Sequence, residues 1–415
     1  MHIDPPDVLI VGAGASGLLA ATRAAERKRR VLLLEKNARP GAKILLAGGG
    51  RCNLTHDTDA CGIAAAFGPP GRFLRAALAA LGPDNLRDLL RAEGVQTLAD
   101  ASGNVFPASQ RASDVLDALI RRLRRAGVTP ACGEPVTSLA RGAAGGFRAA
   151  TARRTHTASR VLIATGGLSY PGCGTTGDGY RWAEAFGHTV VPPRPALVPV
   201  VTDAPWARGL QGIVVKDACV RVVDAATPRA APPAGCRGAI LFTHLGLSGP
   251  AVLDASRALG GRRAPATPAL ELDLLPDIPR AVLEAAIRDT AATSGRRQPS
   301  SLLPAAIPRR LRDALVAQAG VPADRRAAQL ARGDRSRLVD AVKALRVPVR
   351  STLGFAKAEV TAGGVALDEV DPRTMESRLV PGLFLAGEVL DLDGPIGGYN
   401  LQAAFSTGWL AGSHV

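Results

Sequence analysis

The chain has 415 residues, 47% of them hydrophobic and 21% charged, a composition that excludes a disordered polymer and predicts two or three packed domains. No apolar run reaches the roughly 20 residues that cross a bilayer, and no basic or apolar leader precedes the first strand, so the expected location is cytoplasmic. The formal net charge of +15 is concentrated: residues 296–350 carry a net +9, which marks a surface for a polyanion, with RNA the first candidate, or else a solvated helical face.

Val8-Leu9-Ile10-Val11 is short and wholly apolar, as a strand buried on both faces requires. Gly12-x-Gly14-x-x-Gly17 follows it and opens a helical stretch, and Val31 to Leu34 returns as a second buried parallel strand. Helices are predicted over 85–93 and 112–126, the latter with Ser113 as a cap, and a strand over 159–163 leads into Ala164-Thr165-Gly166-Gly167. From 190 to 206 proline and valine alternate as in a linker, feeding short strands near 219–223 and 239–242 between proline-rich loops at 227–233 and 264–268. Helical patterning then covers 281–290, 308–318, 324–330 and 336–345; a buried strand ends at Gly387, and a last helix spans 400–410. The fold class that follows is α/β. A Rossmann-like dinucleotide-binding domain occupies 1–190 and 350–415, a β-rich insertion 191–278, and a basic helical subdomain 279–349.

The glycine fingerprint is diagnostic only in context, and here the context is complete. Gly12 permits a tight turn, Gly14 lets backbone approach a pyrophosphate, Gly17 allows close helix–strand packing, and the amides of Ala15 and Ser16 open the positive end of the helix. Glu35 closes the next strand and offers its carboxylate to ribose hydroxyls, with Lys36 beside it among the expected cofactor contacts. Near the carboxyl terminus, Gly387-Glu388 through Asp391 resembles the strand end by which two-part flavoprotein domains hold the ribityl and phosphate portion of FAD. Gly397-Gly398-Tyr399-Asn400-Leu401 then opens a helix whose positive end suits a reduced flavin. Glu134-Pro135-Val136 is the candidate edge strand passing the adenine, and Gly166, following the 159–163 strand, is among the expected cofactor contacts. Gly48-Gly49-Gly50-Arg51-Cys52-Asn53 excludes a regular element and reads as the loop under the isoalloxazine ring, with Lys43 and Arg51 supplying positive charge. The expected cofactor is non-covalent FAD. No second glycine fingerprint follows a strand, so NADH or NADPH is expected to visit only transiently as reductant.

Three residues are the leading candidates for proton transfer, with Cys173 a further one beside Tyr170. Cys52 is read either as a donor next to the flavin or as a small buried packing residue, Tyr170 lies by the glycine-rich 171–179 loop, and His244 sits in the insertion. The six histidines are dispersed and the six cysteines form no CxxC pair, so no metal site is expected.

Together these motifs resemble the BaiN/RdsA (YhiN) family of bacterial flavoproteins, also called aminoacetone oxidase-like. The matching blocks are VGAGASGLLAA, GGGRCNLTH, GGLSYPGCGTTGDGY, FTHLGLSGPA and KAEVTAGGV running to EVDPRTMESRLVPGLFLAGEVLDLDGPIGGYNLQAAFSTG. The resemblance implies a Rossmann-like FAD domain, an inserted β-barrel-like domain and a helical subdomain. It also implies one of three activities: reduction of carbon–carbon double bonds in oxidised bile acids, amine oxidation, or dihydrouridine formation in large-subunit ribosomal RNA. The basic segment ranks NAD(P)H-driven reduction of uridine in ribosomal RNA first and a small-molecule flavoenzyme, enone reductase or amine oxidase, second.

Overall fold

The structure is a computed structural model and describes residues 5–143, 145–226, 235–260 and 264–415. The chain divides into two compact units, Met1–Pro195 with Glu359–Val415, and Ala196–Ala358.

In the first unit the apolar runs pair as a five-stranded parallel sheet in the order Leu383–Leu385, Arg160–Ile163, Val8–Val11, Val31–Glu35, Ala131–Cys132. Strands this apolar are stable only when covered on both faces; Val8, Leu9 and Ile10 are fully buried. The register aligns Val8 with Val31 and Arg160, so the carboxyl ends of the central strands rise together. Helix Ala15–Glu26 packs against the last helix, Tyr399–His414. Their approach is set by missing side chains: a Cβ on Gly408 would lie 2.2 Å from the Ser16 carbonyl oxygen, and one on Gly412 2.4 Å from that of Ala20. The end of the chain is thereby locked to its beginning.

Several local expectations change. The edge strand is Ala131–Cys132, whereas Val136 begins Val136–Arg141 in a separate three-stranded antiparallel sheet. The chain between still follows the Val31–Glu35 strand, since the Glu134 amide donates to the Glu35 carbonyl at 2.9 Å. Helix Ala112–Arg125 is preceded by Arg111 with no side-chain cap, and the Ser113 hydroxyl donates to Asp114 instead. Residues 190–196 are a strand, Val190–Ala196, paired with Val360–Val365; its prolines are tolerated because a two-stranded sheet leaves half their backbone unpaired.

The second unit is a seven-stranded sheet in the order Leu345–Pro348, Pro268–Asp273, Val214–Asp224, Cys236–Phe242, Gly246–Ser248, Val200–Val201, Ser351–Thr352. Its two edge strands are consecutive in the chain. The Val349 amide bonds Pro268 and the Arg350 amide bonds Val201, so the sheet curls round toward itself as a barrel does. Helices Arg280–Thr293, Arg309–Gln318 and Arg332–Lys343 share one core with this sheet, Leu283, Ile287, Leu311, Leu315, Leu338 and Val342 packing with Val220, Ile240 and Leu270. Only the turn Ala327–Gln329 forms where a fourth helix over 324–330 was expected, because Leu330 and Ala331 return to extended backbone before the Arg332 helix. The 227–233 loop lies outside the described residues.

Candidate active site

The site is built within the first unit, at the carboxyl ends of the parallel strands. Gly12 leaves its strand at φ +102°, where a Cβ would lie 2.5 Å from the Ala164 carbonyl oxygen, and a Cβ on Gly17 would lie 1.8 Å from that of Gly12. Those two glycines are required by packing. Gly14 is different: it has an ordinary negative φ, and a Cβ there would meet nothing within 4 Å. Helix Ala15–Glu26 begins beside it with no side-chain cap, so its positive end faces the space that Gly14 leaves free.

Glu35 is nearly buried at the end of the second strand; one carboxylate oxygen accepts from the Ala13 amide and the other from the Asn37 amide, both at 2.8 Å. The carboxylate is thus fixed against the glycine turn with lone pairs to spare. Lys36 turns to the 176–178 loop, where its ammonium pairs with Asp178 at 2.7 Å and bonds Thr176 at 2.6 Å. Its charge is already matched there.

After helix Ala42–Gly50 departs from helical geometry at Ala47, Gly48, Gly49 and Gly50 all take positive φ, and Cβ atoms on Gly49 and Gly50 would meet nothing closer than 3.9 Å. Backbone is therefore laid open over this loop. Arg51 covers the Phe106 ring at 4.3 Å and bonds the Gly48 carbonyl. Cys52 takes φ +61° and is fully buried, and burial pushes its thiol up to about 12. The packing reading describes it better than the proton-donor reading, because a fully enclosed thiol has no path to exchange a proton with solvent. With its amide turned to suit its neighbours, Asn53 donates to the Thr55 carbonyl and accepts from the Gly398 amide.

That contact begins the closure of the site by the last helix. His56 stacks on Tyr399 with ring centroids 4.7 Å apart, and the Gly397 carbonyl lies 3.2 Å from His56 Nδ1. Gly398, at φ +90°, fits because a Cβ would meet the Thr55 backbone at 2.4 Å. The Asn400 amide bonds both the amide and the carbonyl of Gly394, which shapes the loop ahead of the helix; Leu401 follows in its first turn, partly buried against the core.

Beside it, a polar network connects four segments distant in sequence. Lys43 Nζ bonds Ser169 Oγ and Glu388 Oε2, while Glu388 Oε1 accepts from Ser169 Oγ at 2.6 Å and the Thr361 amide at 2.9 Å. Thr361 Oγ1 accepts in turn from the Leu168 and Ser169 amides. Gly387, at φ +80°, abuts Ser16, and a Cβ there would lie 2.6 Å from its hydroxyl; Gly166, at φ +73°, faces Thr175. Asp391 is half-buried, and burial followed by the neighbouring Asp393 holds its carboxyl above the usual range. Sequence reasoning missed Ser169 and Thr361. Ser169 lies in the GGLSYPGCGTTGDGY block beside Tyr170 and Thr361 in the KAEVTAGGV block, but nothing in the residue types themselves marks either as part of a network.

Tyr170 stands in left-handed backbone next to Ser169, partly exposed, its hydroxyl raised by burial and then by the Glu359 carboxylate. The Cys173 thiol is also raised by burial, against the opposing pull of Lys43. Lys43, Ser169, Tyr170 and Cys173 therefore gather at one place. His244 belongs to the second unit, exposed on a turn held by the Thr243 hydroxyl.

This site fits FAD on three observations: the open cradle at Gly14, Gly49 and Gly50, the uncapped helix end, and the buried Thr165 Oγ1 at a strand end, which has no partner among the described residues. Among those residues no three His, Cys, Asp or Glu converge as a metal group, and no helix is long and apolar enough to cross a membrane.

The HI0933-like protein Rossmann domain model matches residues 6–414. The chain belongs to that family. It is an FAD-type Rossmann oxidoreductase, and the fingerprint and site geometry accord with that. Among the family's curated relatives, it is 35% identical to the ribosomal RNA dihydrouridine synthase of Escherichia coli over 403 residues, covering 97% of this chain and 96% of the relative. It is 34% identical to the 3-dehydro-bile acid delta(4,6)-reductase of Clostridium scindens over 407 residues, covering 97% of each chain. The ribosomal RNA dihydrouridine synthase of Haemophilus influenzae is 31% identical, covering 97% of this chain and 96% of that one. In fold it is similar to the FrdA subunit of E. coli quinol fumarate reductase (TM-score 0.50, 16% identity, 100% of this chain and 70% of that one). The 3-ketosteroid delta1-dehydrogenase of Sterolibacterium denitrificans is comparable (TM-score 0.50, 15% identity, 99% of each).

Proposed function

We propose that this protein reduces uridine to dihydrouridine in large-subunit ribosomal RNA, in the cytoplasm, with NADH or NADPH as electron source. Bound FAD supplies the two-electron step, a hydride to C6 of the uracil, and a proton added at C5 completes saturation of the C5=C6 bond. The chain's own part is to hold the dinucleotide, position the base and deliver that proton. Gly14, the helix opening at Ala15 and Ser16, and Glu35 would hold the pyrophosphate and adenosine ribose; Gly49, Gly50, the 387–391 strand end and the 397–401 helix start would hold the flavin side.

Tyr170 is the proton donor that best fits the geometry. Its hydroxyl stays protonated across the working pH range, it is partly open, and it adjoins the Lys43–Glu388–Ser169 network that can return a proton. Cys52 is enclosed, and His244 follows as a second candidate.

Two relatives of almost equal identity divide between RNA and a bile acid, so likeness alone does not choose the substrate. The observation that carries the RNA reading is the second unit's arginine surface. Arg296, Arg297, Arg309 and Arg332 are exposed, and among the described residues none pairs with an acid. A conjugated enone has no use for such a surface; an RNA chain does. The bile acid relative keeps small-molecule enone reduction as the second reading. Incubating the FAD-loaded protein with unmodified large-subunit RNA and NADH or NADPH, then digesting the RNA for mass spectrometry, tests the proposal. Dihydrouridine at a defined position supports it. Rapid turnover of a steroidal enone with no change in the RNA overturns it.

A further inference from the structure

Two hollows on the surface are lined by arginines, and their charges are balanced differently. One, of about 310 Å³ in the first unit, is lined by Asp84, Arg87, Asp88, Arg91, Gln96 and Thr97. There Arg87 pairs with Asp57 at 3.0 Å and Arg91 with Asp88 at 2.6 Å, so little charge is left for a ligand. The other, of about 780 Å³ in the second unit, lies between the end of helix Arg280–Thr293 and the Ala327–Gln329 turn. It is lined by Arg296, Arg297 and Arg326 with Ser294 and Gln329, and no acidic residue lines it.

Its walls are held by backbone. The Ala327 amide donates to the Arg297 carbonyl at 2.9 Å and the Ala328 amide to the Gly295 carbonyl at 3.1 Å. Gly295 lets the two turns close, because a Cβ there would lie 2.9 Å from that of Ala328. Gln329 caps the Arg326 amide at 3.0 Å, and Ala291, Ala327 and Leu330 anchor both turns in the core. The guanidinium groups are exposed; among the described residues none pairs with a carboxylate, and the Arg326 guanidinium reaches the Arg296 carbonyl at 3.5 Å. The carboxyl end of the adjoining helix contributes about half a negative charge, which three arginines outweigh. An open, uncompensated trio of guanidinium groups on backbone held by hydrogen bonds suits phosphate oxygens, which accept paired N–H bonds.

We propose that this hollow grips the phosphodiester backbone of the RNA substrate, contacting two or three consecutive phosphates. The proposal rests on the RNA reading above and names where the chain is held. The same chemistry would serve the phosphate of a free nucleotide, so the test separates the two.

The test uses the FAD-loaded full chain and a fluorescent single-stranded RNA of about a dozen nucleotides, titrated at several salt concentrations. In the triple variant Arg296→Glu, Arg297→Glu, Arg326→Glu, affinity should fall about tenfold or more. The slope of log affinity against log salt should flatten by about 2, at roughly 0.7 per lost phosphate contact. A control with the same charge change at exposed first-unit positions, Arg72→Glu, Arg75→Glu, Arg124→Glu, should fall less and keep most of its slope. If the Glu triple fails to fold, the corresponding Gln triple gives the same direction at smaller amplitude. Equal affinity and slope in the triple and the parent overturn the proposal, as does uridine monophosphate displacing the RNA at concentrations comparable to the RNA itself. Because binding is read without turnover, loss of RNA binding in the triple with no dihydrouridine from any variant would sink the reductase reading and leave the grip intact. Dihydrouridine formation with unaltered binding in the triple would do the reverse.

Discussion

Gly14 and Gly17 stand in one turn yet answer to different constraints, and substitution separates them. Gly17 is pressed against the Gly12 carbonyl, so Gly17→Ala forces the first helix off its strand and should lower Tm sharply. Gly14 has room, and Gly14→Val should fold with a Tm close to that of the FAD-free parent while the purified protein loses its yellow colour, because the added methyls occupy the space expected to take the dinucleotide. A folded Gly14→Val protein with a full complement of FAD would show that the cradle lies elsewhere. Cys52 makes the converse case. A thiol raised to about 12 keeps its proton, and so stays neutral, at every pH below that value; no thiolate-dependent change should appear between pH 5 and 9. Cys52→Ala should cost roughly 1–2 kcal/mol of stability from the small cavity it leaves, with turnover within a few-fold of the parent. Tyr170→Phe should instead slow product formation by about 100-fold or more while leaving reduction of the flavin by nicotinamide unchanged.

At the scale of elements, the last helix holds the site together through its small residues. Gly408→Val would push it away from the first helix by intruding on the Ser16 backbone, and the 397–401 turn and Gly387 would move with it. The expected outcome is loss of FAD and of thermal stability together, seen as coincident falls in visible absorbance and Tm. In the second unit, Asp334 opens helix Arg332–Lys343 by accepting from the Ala331 amide, and Arg325 and Arg337 flank it. The Ala331 amide and then the two arginines hold its carboxyl below the usual aspartate range. A depressed carboxyl stabilises the fold fully above its unfolded value of about 3.9 and loses that contribution as pH falls through the lower folded value. Asp334→Asn should therefore lower Tm at pH 7, with the difference from the parent shrinking as pH falls below about 3.9. The sheet, the glycine turn and the last helix were legible in the sequence because burial on both faces leaves unbroken apolar runs and positive φ leaves glycine. The edge strand of the parallel sheet was not, since Ala131 and Cys132 carry no strand pattern and are held by backbone bonds to Glu35 and its neighbours. The Ser169–Thr361–Glu388 network was illegible for another reason: its members are ordinary polar residues that become a unit only when the carboxyl segment returns beside the 164–170 loop.

For the whole molecule, cofactor and substrate are assigned to different physical signals. The first unit carries the open glycine cradle and an uncapped helix end; the second carries exposed arginines. Ionic strength should distinguish them. Activity on RNA should fall steeply between about 50 and 200 mM salt, whereas reduction of the flavin by nicotinamide should vary little. The helical stretch at 279–349 is continuous with the core of the curled sheet, so its arginines are presented on a firm support rather than on a tail.

The most direct measurement is anaerobic. The yellow protein is reduced with NADH or NADPH, ribosomal RNA lacking dihydrouridine is added, and the flavin's visible absorbance is followed as the RNA is analysed. The account predicts reoxidation with one dihydrouridine formed per flavin reoxidised. A flavin that stays bleached with RNA, and recovers its colour only with an enone or with oxygen, would contradict it.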